Sequence, residues 1–163
     1  MSSSAPVLSA TQAEALDGAI QALWPSALDL LQRMVATNSV NPLFPGVARA
    51  DVIGGETKVA GMLADYLAGH GLSTHAVAPD PERVNRVAVL KGAGGGRSLL
   101  INGHVDTVAP FKSDSWSTGS PWNAEVRDGR LYGLGSTDMK SGLVSAALAT
   151  AALASAGIRL KGE

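Results

Sequence analysis

Three side chains stand out as candidates for chemistry. His104 and Asp106 lie two apart in Gly103-His-Val-Asp-Thr107, and Asp138 lies in Tyr132-Gly-Leu-Gly-Ser-Thr-Asp-Met-Lys-Ser-Gly142. On an extended segment, residues two apart face the same side. His104 and Asp106 should then point together from the C-terminal end of an apolar strand, where open α/β sheets bind ligands. A neutral imidazole is a common metal ligand, and a neighbouring carboxylate fixes its tautomer and raises its basicity. A surface histidine beside a solvated aspartate has the same spacing, so the pattern leaves both readings open. Asp138 falls at or just before a predicted helix N-terminus, where a carboxylate accepts backbone N–H groups as an N-cap. Presented by a glycine-loosened turn, the same carboxylate could instead ligate a metal.

The elements that must position these groups can be read from hydrophobic periodicity. Residues 11–36 carry helical apolar stripes, with Pro25 predicting a kink or two helices meeting there. Residues 37–53, rich in Asn, Pro and Gly, form a long irregular stretch of the kind that is usually functional or mobile. Val59, Met62, Leu63, Tyr66 and Leu67 define an amphipathic helix over residues 55–70, with Gly69 and Gly71 placed for a left-handed C-cap. Residues 72–78 and 84–91 read as short strands around Pro79-Asp80-Pro81. Residues 98–103 form a continuous apolar run, predicting a central strand covered on both faces. A hairpin turning at Asp128-Gly129 follows, then a helix over residues 139–156 closed by Gly157, then the opening of a strand over residues 158–161. Alternating helices and strands predict an α/β layer structure. Its last element reads as cut off, leaving an unpaired apolar sheet edge that predicts aggregation or a partner requirement.

Composition narrows the function classes. The chain has 163 residues, a formal charge of -1 and no cysteine. That length suits one domain. The cysteine count excludes a disulfide scaffold, a Cys-ligated zinc site and a thiol nucleophile. Near-neutral charge, no Lys/Arg run and few aromatic residues leave no footprint for nucleic acid. Met1–Pro6 shows no basic region followed by an apolar run, so the cytoplasm is expected. The charge-free residues 141–158 are rich in Ala, Ser and Thr and read as a helix buried in a core, so no membrane partner is expected. Gly133-x-Gly135-x-x-Asp138 imitates a dinucleotide fingerprint, but Asp replaces the third glycine and would repel a pyrophosphate. Residues 91–98 lack the Gly-Lys-Ser/Thr of a P-loop, and Ser136 lacks the flanking glycines of a nucleophile elbow. His70 and His75 read as surface residues.

Several short runs occur in one order: residues 99–108, then Trp116, Pro121-Trp122, residues 128–133 and Gly135-Ser-Thr-Asp-Met-Lys140. With Glu56-Thr-Lys-Val-Ala60, this series resembles the zinc-dependent exopeptidase/deacylase family of acetylornithine deacetylase, succinyl-diaminopimelate desuccinylase, aminoacylase and the glutamate carboxypeptidases. The resemblance runs from about residue 28 onward. It implies an α/β fold, the N-terminal part of a zinc-exopeptidase-like catalytic domain with a mixed central sheet flanked by helices. It also implies a two-zinc site, with Co2+ or Mn2+ also suited to His and carboxylate ligands. By the same resemblance, His104 ligates one zinc, Asp138 bridges both, and Asp106 is the catalytic-site carboxylate clamping the His104 imidazole. The Asp138–Met139 peptide bond is expected to be cis. No other cofactor is implied. The implied substrate is a small N-acyl amino acid or peptide, cleaved at an amide bond, and the intact protein is expected to be a homodimer.

Departures from the family pattern are Trp122 for Phe, Leu134 for Arg and Ser141 for Gly, none at an implied ligand. Larger is what the 163 residues do not include: the adjacent Glu pair that supplies the general base and a further ligand, a later acidic ligand, a C-terminal His and the lid domain. Residues 1–163 therefore read as a truncated, incomplete portion of a single metallohydrolase catalytic domain, inactive alone. A non-catalytic interaction module retaining the fold and a nucleotide-binding α/β domain are the competing classes.

Overall fold

The computed structural model describes residues 8–112 and 115–163; the Met1–Pro6 segment lies outside them. Helix α1 (Ala10–Ala36) opens with a capping box. In it Gln12 N–H donates to Ser9 Oγ at 3.2 Å, and Ser9 N–H donates to Gln12 Oε1 at 3.0 Å. Of the two outcomes expected at Pro25, a kink or two helices, the division into two helices does not occur; α1 runs through it. The carbonyl that Pro25 leaves without a donor belongs to exposed Gln21, where water can satisfy it.

The irregular stretch after α1 contains a single helical turn, α2 (Arg49–Val52), which periodicity did not show. Helix α3 (Gly55–Gly69) follows at once, and a Cβ on Gly55 would collide with the Asn38 carbonyl, so this close approach requires glycine. Helix α4 (Ser141–Ser155) ends as expected: Gly157 has φ 68°, and Gly157 and Ile158 N–H groups bond back to Ala154 and Leu153 carbonyls. Ala27, Leu30 and Met34 of α1, Val59 of α3, and Val144 and Leu148 of α4 make the core. The small side chains of α4 let it lie close against α1, and no helix of the described residues is long and apolar enough to cross a membrane.

Two separate two-stranded antiparallel sheets flank this core. Strands β1 (Ser73–Asp80) and β2 (Arg83–Val89) pair with Ser73 opposite Val89. Arg83 ties this hairpin to α3, donating from Nε and NH2 to Glu56 Oε2 and Oε1 at 2.7 and 2.9 Å. Glu56 is only 8% exposed, so its charge depends on that bidentate partner. Strands β3 (Glu125–Arg127) and β4 (Arg130–Tyr132) turn at Asp128-Gly129, both with positive φ, as read from the sequence.

The α/β class holds, but the expected central strand does not form. Residues 98–103 run without a ladder, and Leu99 and Leu100 are 76% and 82% exposed. Their one backbone hydrogen bond among the described residues runs from Leu99 N–H to Glu163 O, 2.8 Å. Residues 158–161 are likewise not a strand, although Leu160 and Lys161 carbonyls accept Ala93 and Gly94 N–H groups. Apolar side chains make a segment suited to a sheet, but a strand exists only where neighbours supply the paired backbone groups. An isolated parallel bridge joins Val40 to Thr107.

Between that bridge and α4, residues Ser136–Lys140 form a widened turn in which Lys140 N–H reaches the Gly135 carbonyl at 3.0 Å. Helix α4 thus begins two residues later than periodicity suggests. The Lys140 side chain is fully buried, and its Nζ donates to the Met34 and Thr37 carbonyls at 2.8 and 3.2 Å. Those carbonyls lie at the C-terminal end of α1, where acceptors are left over and a cation is favoured.

Two predictions follow from these buried charges. Arg83→Ala should lower unfolding free energy by about 3 kcal/mol in urea titration, because it strands the Glu56 carboxylate. Burial pushes the Lys140 ammonium down to about 8 from its ordinary 10.5. Below pH 8 both folded and unfolded chains hold the proton; between about 8 and 10.5 only the unfolded chain does, so stability should rise with pH across that window. The gain at its upper end should approach 3 kcal/mol. The neutral amine keeps two N–H groups for the two carbonyls, and Lys140→Met should abolish the rise.

Candidate metal centre

The stretch 103–107 passes over the start of α4, where Gly103 leaves room: a Cβ there would strike Leu143 and Met139 side chains. It is held from the other side by the chain just after α1. Thr107 N–H donates to Ser39 O, and Asn41 N–H to Thr107 O, both at 2.9 Å. Ser39 is buried and its Oγ donates to Val105 O at 2.8 Å. Gly135, at φ 78°, brings the turn carrying Asp138 against the Thr107 side chain.

These supports bring the three singled-out side chains together. His104 Nδ1 lies 3.0 Å from Asp106 Oδ1 and 3.2 Å from the Asp106 carbonyl. On the other edge of the ring, Nε2 lies 3.0 Å from Asp138 Oδ1, although the residues are thirty-four apart in sequence. The second Asp106 oxygen accepts Asn41 Nδ2–H at 2.9 Å. Asp138 is not a helix cap: the cap position of α4 falls to Lys140 with no side-chain bond, and the Asp138 carboxylate faces His104 instead of a backbone N–H. The Asp138 side chain is 86% exposed and free to meet something in the cleft. The Asp138–Met139 peptide bond is cis. Of the other histidines, His75 is exposed on β1, and His70 packs edge-on against Tyr66 at the end of α3.

Both ring nitrogens of His104 face carboxylates. Partial burial disfavours its cation, but Asp106 and the Asp138 hydrogen bond outweigh that, so its pKa is raised above the ordinary histidine value. In the neutral ring a proton on Nδ1, held by Asp106, leaves the Nε2 lone pair opposite a carboxylate oxygen. That juxtaposition is stable only with a positive charge at Nε2, either a proton or a metal ion.

The donor set suits part of a metal shell. Zinc about 2.0–2.1 Å from each of two tetrahedral donors sets those donors roughly 3.3 Å apart, close to the 3.0 Å seen between Nε2 and Oδ1. Asp106, facing Nδ1, supports the imidazole and does not face the same point. Accordingly no group of three or more acidic or histidine side chains among the described residues converges as a complete cage. The pair opens onto a cavity of about 460 Å³ whose lining also includes the apolar residues Leu43, Phe44, Val108, Trp116 and Leu134.

Three residues that support this arrangement carry no role in a reading of the sequence alone: Ser39, Asn41 and Lys140. For Asn41 the only signal is membership of a long polar loop. For Lys140 it is a charge at the threshold of a charge-free helix.

The chain is 34% identical over 116 residues to acetylornithine deacetylase of Vibrio campbellii, covering 71% of this chain and 28% of that protein. It is 41% identical over 92 residues to succinyl-diaminopimelate desuccinylase of Paracoccus denitrificans, covering 56% and 23%. It is also 41% identical over 85 residues to N-formyl-4-amino-5-aminomethyl-2-methylpyrimidine deformylase of Halalkalibacterium halodurans, covering 51% and 20%. The chain thus spans about a quarter of the length of these curated relatives. The fold of human carnosine dipeptidase 1 superposes with a TM-score of 0.69 at 21% identity, over 90% of this chain and 31% of that one. Residues 100–163, which carry His104, Asp106 and Asp138, match the sequence profile of peptidase family M20/M25/M40.

Proposed function

We propose that this chain supplies part of the catalytic domain of a dinuclear-zinc amide hydrolase acting on small N-acyl amino acids or peptides. The observation that carries the reading is the His104 imidazole held between two carboxylates, 3.0 Å from each, at the mouth of a cavity. The family match and the names of the relatives, a deacetylase, a desuccinylase and a deformylase, support an acyl-amide substrate.

In this reading His104 would hold a zinc through Nε2, and Asp138, with two carboxylate oxygens, would be the residue shared by two ions. Zinc, when bound, supplies polarisation of the scissile carbonyl and a water acidic enough to be hydroxide near neutral pH. Asp106 keeps the His104 proton on Nδ1, so that the Nε2 lone pair points outward. The apolar lining residues Leu43, Phe44 and Trp116 exclude water from part of the cleft and receive uncharged parts of a substrate. Two donors fall short of the three or four protein ligands that zinc takes in enzymes, and among the described residues no acidic group beyond Asp106 and Asp138 lines the cleft to serve as general base. The 163-residue chain by itself is therefore read as inactive.

The test is binding and turnover on the same sample. Zn2+ should shift the ring resonances of His104 in wild-type chain and leave them unmoved in Asp138→Ala. Because the metal displaces a proton from a histidine with a raised pKa, binding should weaken about tenfold per pH unit below that pKa. The zinc-loaded chain should hydrolyse no N-acetyl amino acid above the uncatalysed rate. Zinc-dependent turnover would refute the inactive reading, and absence of any His104 response would refute the metal site.

A further inference from the structure

We propose that Asn41 is a positioning residue that sets the tautomer of His104 through Asp106. The inference rests on reading His104 as a metal ligand, and it concerns a residue that does not itself touch metal or substrate.

Asn41 is locked at both ends of its amide. Its Oδ1 accepts Leu43 N–H at 2.9 Å, and its Nδ2 donates to Asp106 Oδ2 at 2.9 Å. A flipped amide would set oxygen against carboxylate and NH2 against N–H, so the orientation is determined by both neighbours. The Asn41 backbone is itself fixed, since its N–H bonds to Thr107 O at 2.9 Å beside the Val40–Thr107 bridge. Asn41 and Asp106 are thus referenced to the same pair of strand-like segments.

The consequence lies in the Asp106 carboxylate. With Oδ2 engaged by an N–H donor, Oδ1 is held 3.0 Å from His104 Nδ1 and cannot rotate away without breaking the Asn41 bond. A carboxylate accepts only, so the Nδ1 edge must donate and the Nε2 edge is left with its lone pair. Without Asn41, Asp106 is tethered by the imidazole alone, and the competing tautomer, with the proton on Nε2 toward Asp138, becomes accessible. That tautomer cannot ligate through Nε2.

The decisive experiment reads the ring directly. In the 15N-labelled 163-residue chain, free of metal and at alkaline pH where His104 is neutral, long-range 1H–15N correlation should place the proton on Nδ1. Asn41→Ala removes the donor to Asp106 Oδ2 without adding a charge. It should move the population toward the Nε2–H tautomer and weaken Zn2+ binding at His104 by roughly tenfold. Asn41→Leu, close to Asn in size and without a donor, should act in the same direction. A purely structural role for Asn41 would lower the folded fraction without changing the tautomer of the chains that remain folded.

An unchanged tautomer and unchanged Zn2+ affinity in a folded variant would overturn the proposal, as would an Nε2–H ring in the wild type. Should both variants unfold, the wild-type Asn41 side chain decides: one amide proton protected from exchange supports the proposal, and free-amide exchange overturns it. An Asn41-dependent tautomer with no response to Zn2+ would support the positioning role while refuting the metal site.

Discussion

An imidazole flanked by two carboxylates carries a demand that the rest of the structure must meet. His104 has one nitrogen against Asp106 and the other against Asp138. A neutral ring has one proton, so one of these contacts is satisfied and the other sets lone pair against lone pair. The demand is answered by a second proton, which the raised pKa reflects, or by a cation at Nε2. Which edge keeps the ring's own proton decides whether the site can take a metal, so the arrangement depends on features that break the symmetry between the two aspartates. The asymmetry is visible: Asp106 is half-buried and hydrogen-bonded to Asn41, whereas Asp138 is exposed and, among the described residues, its carboxylate is hydrogen-bonded to the ring alone.

Two long-range ties create that asymmetry. The first fastens the chain after α1 to the His104 stretch through Ser39, Val40 and Asn41. The second is Lys140, whose buried ammonium bonds the last carbonyls of α1 from two residues beyond Asp138. Both ties end on the same few residues at the C-terminus of α1. That helix end works as the common reference for the imidazole and for Asp138, although it carries none of the candidate ligands. Burying a lysine there is unfavourable in isolation, yet the leftover helix carbonyls and the helix dipole offset part of the desolvation.

Local pattern made much of this legible. The amphipathic stripe of α3, the Asp128-Gly129 hairpin turn and the Gly157 cap are each specified by residues within a few positions of one another, and each formed where it was read. His104, Asp106 and Asp138 could be singled out because their residue types are chemically distinctive. Asn41 could not, because its role is defined by a partner sixty-five positions away and its own neighbourhood reads only as a turn. Pro25 is the opposite case. A local rule predicted a kink or a division into two helices, and the helix is not divided: the freed Gln21 carbonyl is exposed, where water can satisfy it.

The stretch over residues 98–103 shows where apolar pattern stops being sufficient. Leu99, Leu100 and Ile101 have the composition of a central strand, yet all three are exposed. Strand formation is a property of at least two segments, and among the described residues the backbone partner groups here are limited to the Glu163 carbonyl. The candidate site does not inherit this incompleteness, because its stretch is anchored on the far side, through Val105 and Thr107, to residues 39–41. The imidazole is therefore positioned by a polar seam rather than by a sheet. A seam of directed hydrogen bonds fixes rotation about the side chains as well as their location, which burial of apolar surface alone does not do.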